Sequence, residues 1–300
     1  MNIRSRNPII SFIKKIVSFV LRKCDYSICV TFFKYFLNFI VINSVKKNAK
    51  NYFKYNYLNK KITKYQSSIL VFFTCRNRYH YIKKNLSRLL KIRNIDIIII
   101  DGSDETKSIE YIKNLKSEKI KYKFFNAKGG PDVAIYFSLL LAESLINNYS
   151  YFTILESDTY IKDLKCFDKI INIFQKNKKI GIISGMNVKN CNFLERENYS
   201  MTFWSPAGFL SFRKDILSFV LKEYGYITAN DLNKVIRKKF NINIKNPFSI
   251  YQGRKDLLLS CDWGIGYIAL KHNFLCISPK PSLAEDLDYN VYNLYKSYYQ

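Results

Sequence analysis

The chain has 300 residues, 48% of them hydrophobic and 16% aromatic, enough for a packed core without staples and incompatible with a disordered polymer. Its formal net charge of +26 is unevenly spread: residues 1–65 hold 14 Lys and Arg and one acid, Asp25. Such an end favours an anionic partner, a membrane surface or nucleic acid. Seven scattered cysteines without a CxxC pair, and only two histidines, exclude a disulfide framework, a zinc site and a His-rich metal centre, and point to a reducing cytosolic compartment. No small-residue cleavage site follows the early apolar stretch, so no secretory signal is expected.

Residues 7–23, NPIISFIKKIVSFVLRK, predict an amphipathic helix. Ile9, Phe12, Ile13, Ile16, Val17 and Val20 share one face, and Ser11, Lys14, Lys15, Ser18 and Arg22 the other. Residues 26–45 are about long enough to span a bilayer. Their polar residues Ser27, Thr31, Lys34 and Asn38 nevertheless fall on one stripe, and a mid-span Lys costs roughly 2.5–3.5 kcal/mol on insertion scales. The expectation is therefore a helix lying in the membrane interface, against anionic headgroups. The alternative is that these helices pack on the main domain. Residues 46–66, polar, basic and tyrosine-rich, read as a connector, which divides the chain into a membrane-associating segment, 1–65, and a globular domain, 66–300.

From Ser67 strands alternate with helices. SSILVFFTC (67–75) predicts a buried strand and Tyr79–Leu90 a helix. IDIIIIDGSDET (95–106) carries a strand ending in Asp101, 107–116 a helix, and KIKYKFF (119–125) a third strand. A turn, NAKGGPD (126–132), leads into a helix from Val133 to about Asn147, and YFTIL (151–155) is the next strand. This alternation implies an α/β fold, a mostly parallel sheet flanked by helices. Ligands bind off the carboxyl ends of such strands, where Asp101, Asn126–Asp132 and Glu156–Asp158 all fall. Two acids at the rim of a basic chain suit a divalent cation, Mn2+ or Mg2+, that in turn holds a diphosphate. Continued strand alternation would turn Glu156 and Asp158 to one side and Ser157 to the other.

These motifs resemble family 2 glycosyltransferases of the GT-A (Rossmann-like) fold, over about Ser67 to Asp286. SILVFFTCRNR is similar to that family's first strand and Asn-Arg turn, which implies donor-binding roles for Thr74, Asn77 and Arg78. IIIIDGSDET resembles its Asp-Gly-Ser segment and implies that Asp101 contacts the nucleoside. NAKGGPDVAIYFSLLLA stands in the place of the loop and helix that cover the nucleotide, with Gly129, Gly130 and Asp132. LESDTYI occupies the place of the metal-binding Asp-x-Asp. Glu156 replaces its first Asp, which favours Asp158 as the direct ligand.

IGIISGMNV (180–188) predicts a further strand. MTFWSPAGFLSFRKDIL (201–217) is similar to the family's approach to a Gly-x-x-x-Phe-Arg stretch, here Gly208, Phe212 and Arg213. Glycine permits close approach of the backbone to a bound sugar, and Trp204 is either a platform for the sugar or a core residue. In KDLLLSCDWGIGYIALKHNFLCIS (255–278) Asp262 precedes a helical run lightened by Gly264 and Gly266. The resemblance implies that Asp262 is the catalytic base, with an N-cap as the alternative role; Cys261 stands where the family carries Glu. Glu285 and Asp286 are rival bases, but their place beyond the last predicted strand favours a loop near the acceptor or simply solvated acids. His80 and His272 read as structural.

The expectation is a metal-dependent inverting transferase on the cytoplasmic face of a membrane, taking a UDP-sugar to a glycan or lipid-linked acceptor for cell-surface polysaccharide, with no nucleic-acid partner. A nucleotidyltransferase would carry a Gly-rich loop after the first strand, where this chain has CRNRYH. A nucleic-acid or membrane-binding protein without activity would draw on the Lys–Tyr stretch 46–66, but no RNA-binding motif accompanies it.

Overall fold

The computed structural model describes residues 32, 34–56, 67–127, 129–187, 191–204, 208–242 and 261–287, with backbone alone for Ala229, 261–263 and Asp286. The helix predicted over 7–23, residues 26–31 and 33 of the predicted interfacial helix, and the stretches 57–66 and 255–260 lie outside them. No described helix is long and apolar enough to cross a membrane.

Nine strands form one sheet. In chain order they are β1 (Ile69–Cys75), β2 (Ile95–Asp101), β3 (Ile120–Phe124), β4 (Tyr151–Glu156), β6 (Ile180–Ser184), β7 (Asn192–Glu195), β8 (Tyr199–Thr202), β9 (Phe209–Arg213) and β10 (Leu275–Pro279). Their spatial order is β3-β2-β1-β4-β9-β6-β10-β8-β7. β3, β2, β1 and β4 are parallel, as are β6 and β10, and β9 joins the two blocks antiparallel to both. A separate ribbon pairs β5 (Thr159–Ile161) antiparallel with β11 (Ala284–Asp286). The sheet is thus α/β and mostly parallel, as expected. The short strands β5, β7, β8 and β11 were not legible as such, because three or four residues show no period.

Successive residues of the central strands face opposite sides, and both sides are apolar. Leu70 and Phe72 join a core with α1 (Asn43–Asn56), α4 (Pro131–Ser144), α6 (Leu217–Glu223) and α8 (Cys261–Lys271). Val71 and Phe73 join one with α2 (Tyr79–Leu89), α3 (Thr106–Asn114) and α5 (Cys166–Lys176). A smaller cluster packs α7 (Ala229–Phe240), through Leu232 and Ile236, on Phe203, Trp204 and Leu270. Helices on both faces of the sheet explain why the strands read as continuous apolar runs rather than as alternating ones.

The sequence made 46–66 a connector, but 46–56 is helical and docked. A π-helical turn, Asn38–Ile42, runs into α1, and Leu37, Val41, Ile42, Val45 and Ala49 are buried against the domain. Each buried aliphatic side chain contributes about 1.5–3 kcal/mol, so the docking outweighs the segment's polar composition. Polar contacts fix it further. Tyr226 donates its amide to Asn38 Oδ1 at 2.7 Å and accepts from Asn38 Nδ2 at 3.3 Å, and Lys34 pairs with Asp231 at 2.7 Å.

Candidate active site

The parallel register aligns Cys75 with Asp101 and Thr74 with Glu156. Hydrogen bonding continues past the strand ends. Ser157 N donates to Thr74 O (3.0 Å), Gly102 N to Cys75 O (2.9 Å) and Ala127 N to Asp101 O (3.0 Å). Gly102 is required there, since a Cβ would stand 2.8 Å from Ala127 O. The residues predicted from four separate stretches therefore meet on one rim.

The turn after β1 is held in an uncommon conformation: Asn77 and Arg78 are both left-handed, at φ 55° and 64°. Asn77 stabilises it. Its side-chain Oδ1 accepts from the amides of Asp104 (2.8 Å) and Glu105 (3.0 Å), and its own amide donates to Ser103 Oγ (2.7 Å). Glu105 Oε2 in turn accepts from Tyr79 N (3.2 Å) and Ser108 Oγ (2.6 Å). In this arrangement the Asn77 carboxamide oxygen ties the first loop to the second, a positioning task that the sequence did not reveal.

Asp101 sits at the bottom of the rim, 1% exposed. Oδ1 accepts from Ser103 N (2.9 Å) and from Cys75 Sγ (3.6 Å), while Oδ2 is buried without a hydrogen-bond partner among the described residues. A buried acceptor left unmade costs about 1–3 kcal/mol. Burial pushes the carboxyl's pKa up from its usual value, and the hydrogen bonds from Ser103 and Cys75 offset part of that rise. Tyr52 of α1 reaches the same region: it donates to Phe125 O, and its phenol is made less acidic by burial first and by the charge of Asp101 second.

In the Glu156-Ser157-Asp158 turn Ser157 is buried and the two acids are half-exposed, the alternation expected from strand geometry. Glu156 N donates to Gly208 O (3.1 Å), and Asn85 of α2 donates its side-chain amide to Ser157 O. Asp158 Oδ2 pairs with Arg78 Nη1 at 3.0 Å. Gly208 must stay small, because a Cβ would meet Thr159 Oγ1 at 2.7 Å and Met186 Cε at 2.6 Å. Among the described residues no group of three or more His, Cys, Asp or Glu gathers to hold a metal ion.

The ribbon changes the placing of Glu285 and Asp286. They lie in β11, not in a loop past the last strand, with Asp286 paired to Thr159 and Glu285 to Tyr160. Leu287 N then donates to Asp158 O at 2.9 Å, so this end of the ribbon meets the acidic turn. Glu285 itself pairs with Lys162 at 3.1 Å.

The remaining predicted residues divide. Gly129 and Gly130 have φ of 131° and 87° and lead into α4, whose first turn holds Asp132. Positive φ at two successive positions is the reason for glycine there. Trp204 is 7% exposed and packs in the cluster with Leu232 and Leu270, as the core role left open for it requires. Asp262 is the second residue of α8 as described, Cys261–Lys271. Gly264 and Gly266 let that helix approach backbone: a Cβ would stand 2.5 Å from Gly225 O and 2.3 Å from Phe203 O. His272 contacts Glu223 Oε1 at 2.7 Å and stacks on Phe219, a structural role; His80 is an exposed residue of α2.

Acids and a glycine loop at the carboxyl ends of a parallel block match the plan of a GT-A glycosyltransferase. The glycosyl transferase family 2 profile matches residues 68–241, and the chain belongs to that family. Among solved structures, the mannosyltransferase PcManGT from Pyrobaculum calidifontis, in complex with GDP-Man and Mn2+, is similar with TM-score 0.51 and 10% identity, over 86% of this chain and 70% of that one. Mouse xyloside xylosyltransferase 1 gives TM-score 0.38 and 12% identity over 70% and 83%. A CMP:2-keto-3-deoxy-manno-octonic acid synthetase complexed with CTP gives 0.37 and 7% over 52% and 78%. A search of curated protein sequences returns no match.

Proposed function

We propose that this glycosyltransferase moves a sugar from a nucleotide-diphosphate donor, UDP-linked by the family resemblance, to a glycan or lipid-linked acceptor of the cell surface, with inversion. It does so at the cytoplasmic face of a membrane, 66–300 forming the catalytic domain and 1–65 the membrane-associating segment. The observation that carries the donor site is the orphaned Oδ2 of Asp101, buried at the rim across β1 from the strand that ends in Glu156. A carboxylate there accepts from a nucleoside N–H or hydroxyl and recovers the hydrogen bond that the fold withholds.

Glu156 and Asp158 fit Mn2+ or Mg2+: both present hard oxygen donors, and such ions bind through one or two carboxylates with substrate phosphates supplying the rest. The Mn2+ and GDP-Man held by the Pyrobaculum enzyme support the same reading. When bound, the cation neutralises charge on the departing diphosphate. Asp158 is the direct ligand in this scheme and Glu156 assists. Arg78, already beside Asp158, would add positive charge toward the same diphosphate. Asp262 removes the proton of the acceptor hydroxyl as its oxygen attacks the anomeric carbon and the bond to the diphosphate breaks, a step worth typically 10²–10⁴-fold.

Calorimetric titration of the full chain with a panel of nucleotide sugars, with and without Mn2+, tests the proposal. One donor should bind, more tightly with the ion. No binding under either condition would sink it.

A further inference from the structure

The outward face of the N-terminal helix changes chemistry along its length. Phe32, Tyr35 and Phe39 are 65%, 67% and 73% exposed, and Phe36 stacks on Phe32 with ring centroids 6.5 Å apart. Positions 32, 35 and 39 recur at helical spacing, so the rings form one ridge. Beyond Asn43 the outward positions include Lys47, Lys50 and Lys54. The opposite face is Leu37, Val41, Ile42, Val45 and Ala49, buried against the domain. A docked helix that leaves these three rings and Tyr55, 80% exposed, in water marks an interaction surface.

Charge identifies the occupant. Residues 32–56 contain five lysines and no acid, and 1–65 hold 14 Lys and Arg against Asp25. A second copy of this chain would bring the same positive face, which repels itself in a two-fold contact. A single-stranded nucleic acid would use rings and cations interleaved along its path, whereas here Phe32, Tyr35 and Phe39 precede the basic stretch and only Tyr55 among the strongly exposed rings lies within it. An apolar ridge continuing into a basic face suits an anionic lipid surface, with rings at the headgroup–acyl boundary and ammonium groups over the phosphates.

We propose that Phe32, Tyr35 and Phe39, with Lys47, Lys50 and Lys54, seat the protein on an anionic membrane and hold the acceptor end of the site there. The second half rests on the glycosyltransferase reading, in which α8 carries the base. The mechanical link is short. Asn38, between the ridge residues, clasps Tyr226 through its backbone; Gly225 lies against Asn38, where a Cβ would stand 2.6 Å from Oδ1; Gly264 of α8 lies against Gly225 O. The seat and the first turn of α8 therefore move as one body, and an acceptor anchored in the same bilayer meets the site at a fixed height.

The test is flotation of the full chain with phosphatidylcholine vesicles and with vesicles that also contain phosphatidylglycerol. The wild type should float with the anionic vesicles and lose most of that binding in neutral ones or at high salt. Replacing the ridge, F32S/Y35S/F39S, should lower vesicle affinity by about tenfold or more, and K47E/K50E/K54E should abolish the preference for anionic lipid. Nucleotide affinity, measured on the same samples, should stay unchanged, showing that fold and site survive. Undiminished flotation of the ridge variant, no flotation of the wild type, or single-stranded RNA that displaces the vesicles would each overturn the proposal. Loss of nucleotide binding in the wild type would instead overturn the sugar-transfer reading and leave the flotation result standing.

Discussion

Arg78 and Asp158 meet across the mouth of the site, Nη1 to Oδ2 at 3.0 Å, although 80 residues separate them. The pair joins the turn after β1 to the acidic turn after β4. A cation ligated by Asp158 and a guanidinium on the same carboxylate compete unless the arginine also engages the diphosphate. Asp158→Ala should therefore abolish the Mn2+-dependent part of nucleotide binding. Arg78→Ala should weaken nucleotide binding by about tenfold, one lost charge-assisted contact, and leave the Mn2+ dependence in place. Calorimetry on both variants separates the two roles, and a metal dependence that survives Asp158→Ala would refute the assignment.

The pH behaviour of Asp101 runs opposite to that of an acid in a salt bridge. Burial raises its carboxyl above the ordinary 3.8, so the folded protein keeps the proton to higher pH than the unfolded chain does. As pH rises from that value through the folded one, the native state binds more protons and stability falls. Asp101→Asn keeps an oxygen for Ser103 and removes the titration. Urea midpoints of the variant relative to the wild type should improve from acid towards neutral pH, while nucleotide affinity drops.

Asp262→Asn should leave folding and nucleotide affinity intact and abolish transfer, as a positioned base would. Gly266→Ala is the structural counterpart. Its Cβ would press on Phe203 O, and overpacking of this kind costs typically about 1–3 kcal/mol. Thermal melts should drop for Gly266→Ala and stay level for Asp262→Asn; transfer surviving in a folded Asp262→Asn protein would move the base elsewhere.

Far from the rim, Lys121 pairs with Asp96 at 3.3 Å with side chains 6% and 1% exposed, and Tyr149 donates to the same carboxylate at 2.8 Å. Removing one partner of a buried pair is costly, about 3–5 kcal/mol. Lys121→Ala should lower the unfolding free energy by that order in denaturant titration, with unchanged nucleotide affinity in the folded fraction.

Much of this architecture was legible because continuous apolar runs ended in acids. ILVFFTC, IDIIIID and YFTILE are buried on both faces, and the last two end in Asp101 and Glu156 on either side of β1. The rest depends on long-range pairing. β11 holds three residues and becomes a strand only by meeting β5. The docking of α1 depends on a stripe from Leu37 to Ala49 within a basic stretch, and lysine-rich composition hid it. Asn77 could have been found from its place after a strand and before a helix, where its side chain can bond neighbouring amides, but its partners come from the next βα loop. Trp204 was ambiguous because a platform and a core residue look alike until burial is known.

The amides of Gly102, Ala127 and Ser157 are already committed to the carbonyls of Cys75, Asp101 and Thr74. Little ordering entropy is left for the donor to overcome at this rim. Deuterium uptake at those three positions should accordingly be slow before any nucleotide arrives and almost the same afterwards. Tight donor binding would then come with a quiet exchange map, the signature of a lock cut in advance.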